Sequence, residues 1–318
     1  MRALASPASL KGVLSARAAA AALVAGFTRA AVDADELPVA DGGEGTADVF
    51  GARMRDTYDV HDAFGRPRSA AIHYVRSGLA VVESAEVIPL DPAQLDPLAA
   101  SSRGLGELIA RVANDTELLV CLGGTATLDG GAGLREVLHE LPGPTTVLCD
   151  TLAPLRDAPR LFGPQKGATP EQVRALEERL AAMPELAPYA DLPGAGAAGG
   201  LGAALAALGG DLVPGARYVL EWLRFRDRAR RADLVVTGEG KVDATTATGK
   251  APGEVAAACR EEGVACVVFG GVVEADVEGA EVRELTGRPQ RSRDELEELG
   301  YELGKRLRSS SRSGGSGW

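Results

Sequence analysis

Residues Glu117 to Gly133 read ELLVCLGGTATLDGGAG. The first six, Glu117–Leu122, form a near-continuous apolar run of the length of a fully buried strand. The run stops at Gly123-Gly124; Thr125, Thr127, Asp129 and three more glycines follow. A strand end of this kind offers backbone N–H groups and a helix N-terminus to an anion. Two other segments repeat the pattern: Ala232–Thr237 runs into Gly238, and Val264–Phe269 into Gly270-Gly271. Strands alternating with helices predict a parallel α/β sheet. Open sheets of this class hold ligands at the carboxyl ends of their strands, so these loops are where a site is expected.

Outward from these strands, the pattern predicts a strand near Ala3–Ser6 and a helix over Ala18–Phe27. Short strands follow at Thr57–Val60 and Val81–Ser84, then a helix over Gly104–Ala113 and a strand at Thr145–Cys149. Pro170–Met183 reads as an amphipathic helix with Val173, Leu176 and Leu180 on one face. Helices are also predicted over Ala197–Leu208, Gly253–Glu262 and Arg293–Arg308. The Ser/Gly-rich tail Ser309–Trp318 is expected to be disordered.

The chain has 318 residues, enough for about two domains. With 45% hydrophobic and 25% charged residues it has a globular composition, not a disordered one. A net charge of −11 argues against nucleic-acid backbones and anionic membranes as main partners. No apolar stretch reaches 18 residues, so no membrane-spanning helix is expected. Pro7, Lys11 and Arg17 interrupt the N-terminal apolar stretch, which argues against a signal peptide. Cys121, Cys149, Cys259 and Cys266 form no CxxC pair, and the three histidines have no metal-ligand spacing. A reducing, cytoplasmic setting is the expectation.

Of 34 basic residues only five are lysine: Lys11, Lys166, Lys241, Lys250 and Lys305. Four of them fall in or beside Gly-rich or Pro-flanked loops. A compact ammonium kept in so Arg-biased a chain points to an anion site. Asp41-Gly42-Gly43-Glu44-Gly45 sets two carboxylates on a freed backbone, suited to a metal or a hydroxyl; the alternative is a turn capping a helix. Asp129 has the same two readings, Mg²⁺ ligand or base against N-cap. Lys166, in Gly163-Pro164-Gln165-Lys166-Gly167, reads on its own as a solvated turn lysine. Gly194, Gly196 and Gly199 spell G-x-G-x-x-G, but no strand precedes them, so the dinucleotide fingerprint fails its context. A close packing surface or an anion nest remains. After the strand Ala232–Thr237, Glu239, Lys241, Asp243 and Lys250 offer two cations for phosphates and two carboxylates for Mg²⁺, without Walker A spacing. No nucleophile–base dyad is spelled out, so the inventory favours phosphoryl transfer over acyl transfer or redox chemistry.

Taken in order, Pro38–Thr46 (PVADGGEGT), Ser101–Ile109 (SSRGLGELI), Gly123–Gly133, Phe162–Ala168 (FGPQKGA), Pro193–Ala204 (PGAGAAGGLGAA) and Thr237–Pro252 resemble the glycerate kinase family, bacterial glycerate 2-kinase type. The resemblance runs from about Ser6 to Gly271. It implies a Rossmann- or flavodoxin-like parallel-sheet domain with a second α/β domain inserted into it and a cleft between. On this chain the expected split is 1–40, 98–135 and 228–308 for the first domain, and 41–97 and 136–227 for the second. The implied activity is phosphorylation of D-glycerate to 2-phosphoglycerate with ATP and Mg²⁺. Asp129, Asp41 and Lys166 are the implied catalytic set, one carboxylate orienting or deprotonating the acceptor hydroxyl. Gly123, Gly124, Thr125, Lys241, Lys250 and Arg103 are the implied nucleotide-binding set, and Glu239, Asp243 and Glu44 the implied Mg²⁺ ligands.

Four positions depart from the family pattern: Ala8 replaces an Asp, Leu128 an Asn, Ala153 an Asn and Thr245 a Gln. If each removes a buried contact to the acceptor, the cost is about 1–3 kcal/mol apiece. The departures leave two further readings open: a member that binds nucleotide or a small anion without turnover, and a kinase for another small hydroxy acid.

Overall fold

The structure, a computed structural model, describes residues 1–246 and 249–313, with side chains described as far as Ser309. Eleven strands occur among these residues: β1 (Arg2–Ala5), β2 (Asp33–Glu36), β3 (Met54–His61), β4 (Pro67–Arg76), β5 (Leu79–Glu83), β6 (Glu117–Leu122), β7 (Thr145–Cys149), β8 (Asp211–Pro214), β9 (Leu234–Val242), β10 (Ala265–Val273) and β11 (Glu281–Glu284). The chain forms two compact units. Met1–Asp41 joins Val219 onward in the first, and Gly42–Tyr218 is a single insertion that makes the second.

The first unit holds an all-parallel sheet in the order β2-β1-β9-β10-β11. Counted within the unit this is 2-1-3-4-5, the flavodoxin-like order, with its switch point between β1 and β9. The helices Ala16–Arg29 and Ser292–Ser313 pack together on this sheet. Leu23, Phe27, Phe269, Leu296 and Leu303 share its core. Ser15 caps the first of these helices by accepting from the Ala18 amide.

The second unit holds a mixed sheet in the order β3-β4-β5-β6-β7-β8. β3, β4 and β5 pair antiparallel, and β5 to β8 pair parallel. Its core gathers Ile72, Val82, Leu105, Leu118, Val120 and Leu201.

The α/β class and the insertion agree with the sequence reading; the domain split does not. β6 hydrogen-bonds between β5 and β7, so 98–135 lies in the second unit and not with the first. Residues 219–227 lie in the first unit, as does Asp41. An apolar strand flanked by helices reads the same in either sheet, and only strand pairing tells them apart. The tail also differs: Ser309–Ser313 continue the helix Ser292–Ser313, anchored upstream by the buried Leu303 and Leu307. The remainder of the predicted disordered tail, 314–318, lies outside the described residues.

Candidate functional site

In the second unit the loop after β6 is built around Asp129. This carboxylate is 1% exposed. It accepts from the Ser102 amide and hydroxyl, both at 2.8 Å, from the Gly131 amide at 3.0 Å and from the Gly133 amide at 3.2 Å. Ser102 Oγ also accepts from the Leu134 amide. Asp129 therefore ties the helix Arg103–Ile109 to the turn before Ala132–Arg135. Four donors engage its oxygens, and since the helix Ala132–Arg135 is capped by Gly131, Asp129 braces the loop from outside the helix rather than as its N-cap residue. The glycine run Gly194–Gly202 closes on the same loop. The Gly130 amide donates to Gly199 O at 3.0 Å, and a Cβ on Gly199 would stand 2.0 Å from Thr127 O. Here the G-x-G-x-x-G spelling is a close packing surface.

Lys166 is not a solvated turn residue. The 3₁₀ turn Pro164–Lys166, ending at Gly167 with φ +88°, folds it inward until it is 4% exposed. Its Nζ donates to Thr127 O at 2.7 Å and lies 3.5 Å from Thr125 Oγ1. Burial lowers its pKa to about 8, opposed by the charges of Asp150 and Asp129. Asp150 follows β7, and its Oδ2 would stand 2.7 Å from a Cβ on Gly123. The Asp150 carboxylate thus packs directly on the Gly123 backbone. The Gly123 amide and Ser84 Oγ are 3.3 Å apart, and Leu90 N donates to Gly124 O at 2.8 Å. Lysine, carboxylate and glycine backbone together can hold an anion and accept a proton beside it. The sequence reading missed Asp150, Ser102 and Ser84. Asp150 sits at the carboxyl end of β7, beside β6.

In the first unit the switch point gathers a second set. The Ala8 amide donates to Gly238 O at 2.9 Å, so the position where the family pattern has Asp lies directly beside β9. Ser6 Oγ is buried here and has no partner among the described residues. Glu239 accepts from Thr246 Oγ1 at 2.8 Å and lies 3.6 Å from Lys250 Nζ. Burial raises its pKa, and Asp41 and Asp243 add to the rise while Lys250 and Thr246 oppose it. Asp243 accepts from the Thr245 hydroxyl and amide, which holds its pKa below the usual range, and lies 3.7 Å from Lys250. Lys250 precedes the helix Ala251–Glu262, which carries Pro252 in its first turn. Glu239, Asp243 and Lys250 of the expected loop set thus lie together, and Asp41, expected with Asp129 and Lys166, acts on Glu239 here.

Other expected members are placed elsewhere. Lys241 pairs with Glu274 at 2.9 Å on the half-exposed rim of the sheet. Arg103 gives its guanidinium to Glu107 and Glu136. Glu44 belongs to the second unit, where it is exposed. No cluster of three or more His, Cys, Asp or Glu side chains is poised for a metal among the described residues. Two carboxylates do suit Mg²⁺, which takes one or two of them and completes its shell with water and phosphate oxygens. Of the four departures, Leu128 packs in an apolar cluster with Ala158 and Leu176, and Thr245 holds Asp243. Neither is simply a lost acceptor contact.

The profile of the glycerate kinase family matches residues 3–140 and 143–297. A glycerate kinase of Bacillus subtilis (strain 168) is 35% identical, over 87% of this chain and 86% of that protein. A glycerate 2-kinase of Escherichia coli (strain K12) is 32% identical, over 79% and 80%. A crystal structure named for a glycerate kinase 2 of Salmonella typhimurium LT2 superposes with a TM-score of 0.77 at 29% identity, covering 98% of this chain and 99% of that one. The chain belongs to the glycerate kinase family.

Proposed function

We propose that the protein transfers the γ-phosphoryl group of ATP, with Mg²⁺, to a hydroxyl of D-glycerate and yields 2-phosphoglycerate. The observation that carries this reading is the buried Lys166, held by Thr127 O and flanked by Asp150 and the Gly123–Thr125 backbone. A buried cation with a carboxylate beside it suits an anionic acceptor or the transferring phosphoryl group. In the step, the acceptor oxygen bonds to phosphorus as the bond to the β-phosphate oxygen breaks, and Asp150 takes the hydroxyl proton. Asp129 holds the loop in place. In the first unit, Lys250 neutralises phosphate charge, and Glu239 and Asp243 would hold the metal, with Asp41 beside them. Bound Mg²⁺ supplies charge neutralisation at the phosphate oxygens. Asp150→Asn should lower kcat on D-glycerate by about 100-fold or more with the fold intact, as for other general-base losses. Unchanged kcat in that variant assigns the proton to another group.

A further inference from the structure

Strand β3 is an outer edge of the second unit's sheet: all eight of its residues pair with β4, in one unbroken register, and with no other strand. The other sheet edges, β2, β8 and β11, are four residues each. Asp62 N donates to Arg66 O at 2.8 Å where the pairing with β4 continues into the turn, and His61 N turns the other way, to Glu107 Oε2 at 3.1 Å. Backbone groups alternate in direction along a strand. Arg55, Thr57 and Asp59 therefore aim their N–H and C=O groups away from β4. All three residues are exposed, and among the described residues these outward groups have no hydrogen-bond partner. The edge is covered only at its end, where a Cβ on Gly104 would stand 1.7 Å from His61 O. Lysine, proline and bulges, which ordinarily blunt such an edge, are absent from the Met54–His61 pairing with β4.

The charges on this edge suit a second copy of itself. In an antiparallel pair, opposed residues either both exchange backbone hydrogen bonds or neither does. A second β3 related by a two-fold axis must then place that axis at a residue. Centred on Asp56, that carboxylate faces its own copy. Centred on Tyr58, Asp56 faces Val60 and Arg55 faces His61, whose N–H is already taken. Centred on Thr57, Arg55 faces Asp59 at both ends, Met54 faces Val60, Asp56 faces Tyr58 and Thr57 faces itself. Opposite charges and Thr–Thr pairs are favourable cross-strand combinations. In this register the outward groups of Arg55, Thr57 and Asp59 also satisfy one another. Within the chain Arg55 and Asp59 have no ion-pair partner among the described residues, and Met54 is 65% exposed.

We propose that β3 is a self-recognition surface: a second copy of this chain adds its own β3 antiparallel about a two-fold axis at Thr57, and the two six-stranded sheets become one continuous sheet. Sedimentation velocity of the full chain at about 50 μM tests it. The wild type should sediment as a dimer. Thr57→Pro removes the two central inter-chain hydrogen bonds and spares the ladder to β4, since proline is accepted where an edge N–H faces outward; it should sediment as a monomer. Arg55→Asp and Asp59→Arg, each alone, set like charges opposite one another at both ends and should weaken the dimer about ten-fold or more. Combined in one chain they restore opposite charges and should recover the wild-type dimer. Both charge positions are exposed, so these variants remain readable should Thr57→Pro misfold. Three results overturn the surface: a monomeric wild type at that concentration, a dimer that the folded single variants leave unchanged, or a combined variant no more dimeric than either single one.

Discussion

Lys166 shows how much a single side chain can mean once its surroundings are known. Burial holds its pKa at about 8, below the ordinary 10.5, so its charge is lost as pH rises through about 8. In the proposed reaction kcat/KM should therefore fall above about pH 8, roughly ten-fold per unit at the steep limb. Lys166→Arg, charged throughout that range, should lack the limb; an identical limb in that variant assigns it to another group. The sign for stability is opposite: the unfolded chain binds more protons between about pH 8 and 10.5, so this group favours folding increasingly across that window. Lys166→Met should accordingly lose more than about 100-fold in turnover while its Tm stays within about 3 °C of wild type. Asp129→Ala should do the reverse in kind, orphaning four donors and costing about 3 kcal/mol in urea unfolding; a variant of wild-type stability would remove the anchoring role. Neither distinction was legible in the sequence. A lysine in Gly-Pro-Gln-Lys-Gly looks solvated because its burial comes from a loop some forty positions away. Asp150 passed unnoticed for a different reason, since a strand-end carboxylate gains its meaning only when β7 is seen beside β6.

Among the elements, the buried strands were readable and the edges were not. β6 and β7 fall where their apolar runs predict, and the helix Pro170–Ala181 begins with the Thr169–Gln172 capping box. β2 (DADE) and β11 (EVRE) escaped because edge strands carry polar side chains on a backbone that pairs on one side only. The helix Ala197–Ala207 was read as regular, yet Ala198, Gly199 and Gly200 are left-handed, which lets the chain press against Thr127. Close approach also governs the paired helices of the first unit. A Cβ on Gly26 would stand 1.9 Å from Glu297 O, and one on Gly300 would stand 2.3 Å from Leu23 O. Gly26→Ala should thus cost about 1–3 kcal/mol by overpacking, despite the better helix propensity of alanine. Urea unfolding reads this directly, and an unchanged midpoint would show that the helices part at no cost.

For the whole molecule, the fold class followed from strand–glycine punctuation, whereas the division of the chain did not. Residues 98–135 were assigned to the wrong unit because sequence shows that β6 is buried without showing its neighbours. The switch point between β1 and β9 nevertheless places Asp41, Glu239, Asp243 and Lys250 where an open sheet binds its ligand. Glu239→Gln with Asp243→Asn should raise the Mg²⁺ concentration needed for half-maximal turnover by about ten-fold or more; an unchanged requirement would place the metal elsewhere. The proposed phosphorylation of glycerate at the Lys166 loop has a direct readout. ADP release from ATP, Mg²⁺ and D-glycerate, followed side by side for the wild type and Lys166→Met, tests it most directly. Glycerate-dependent release by the wild type, absent in the variant, is the expected result; a folded wild type that releases no ADP with glycerate, or a variant that releases it equally well, would contradict the account.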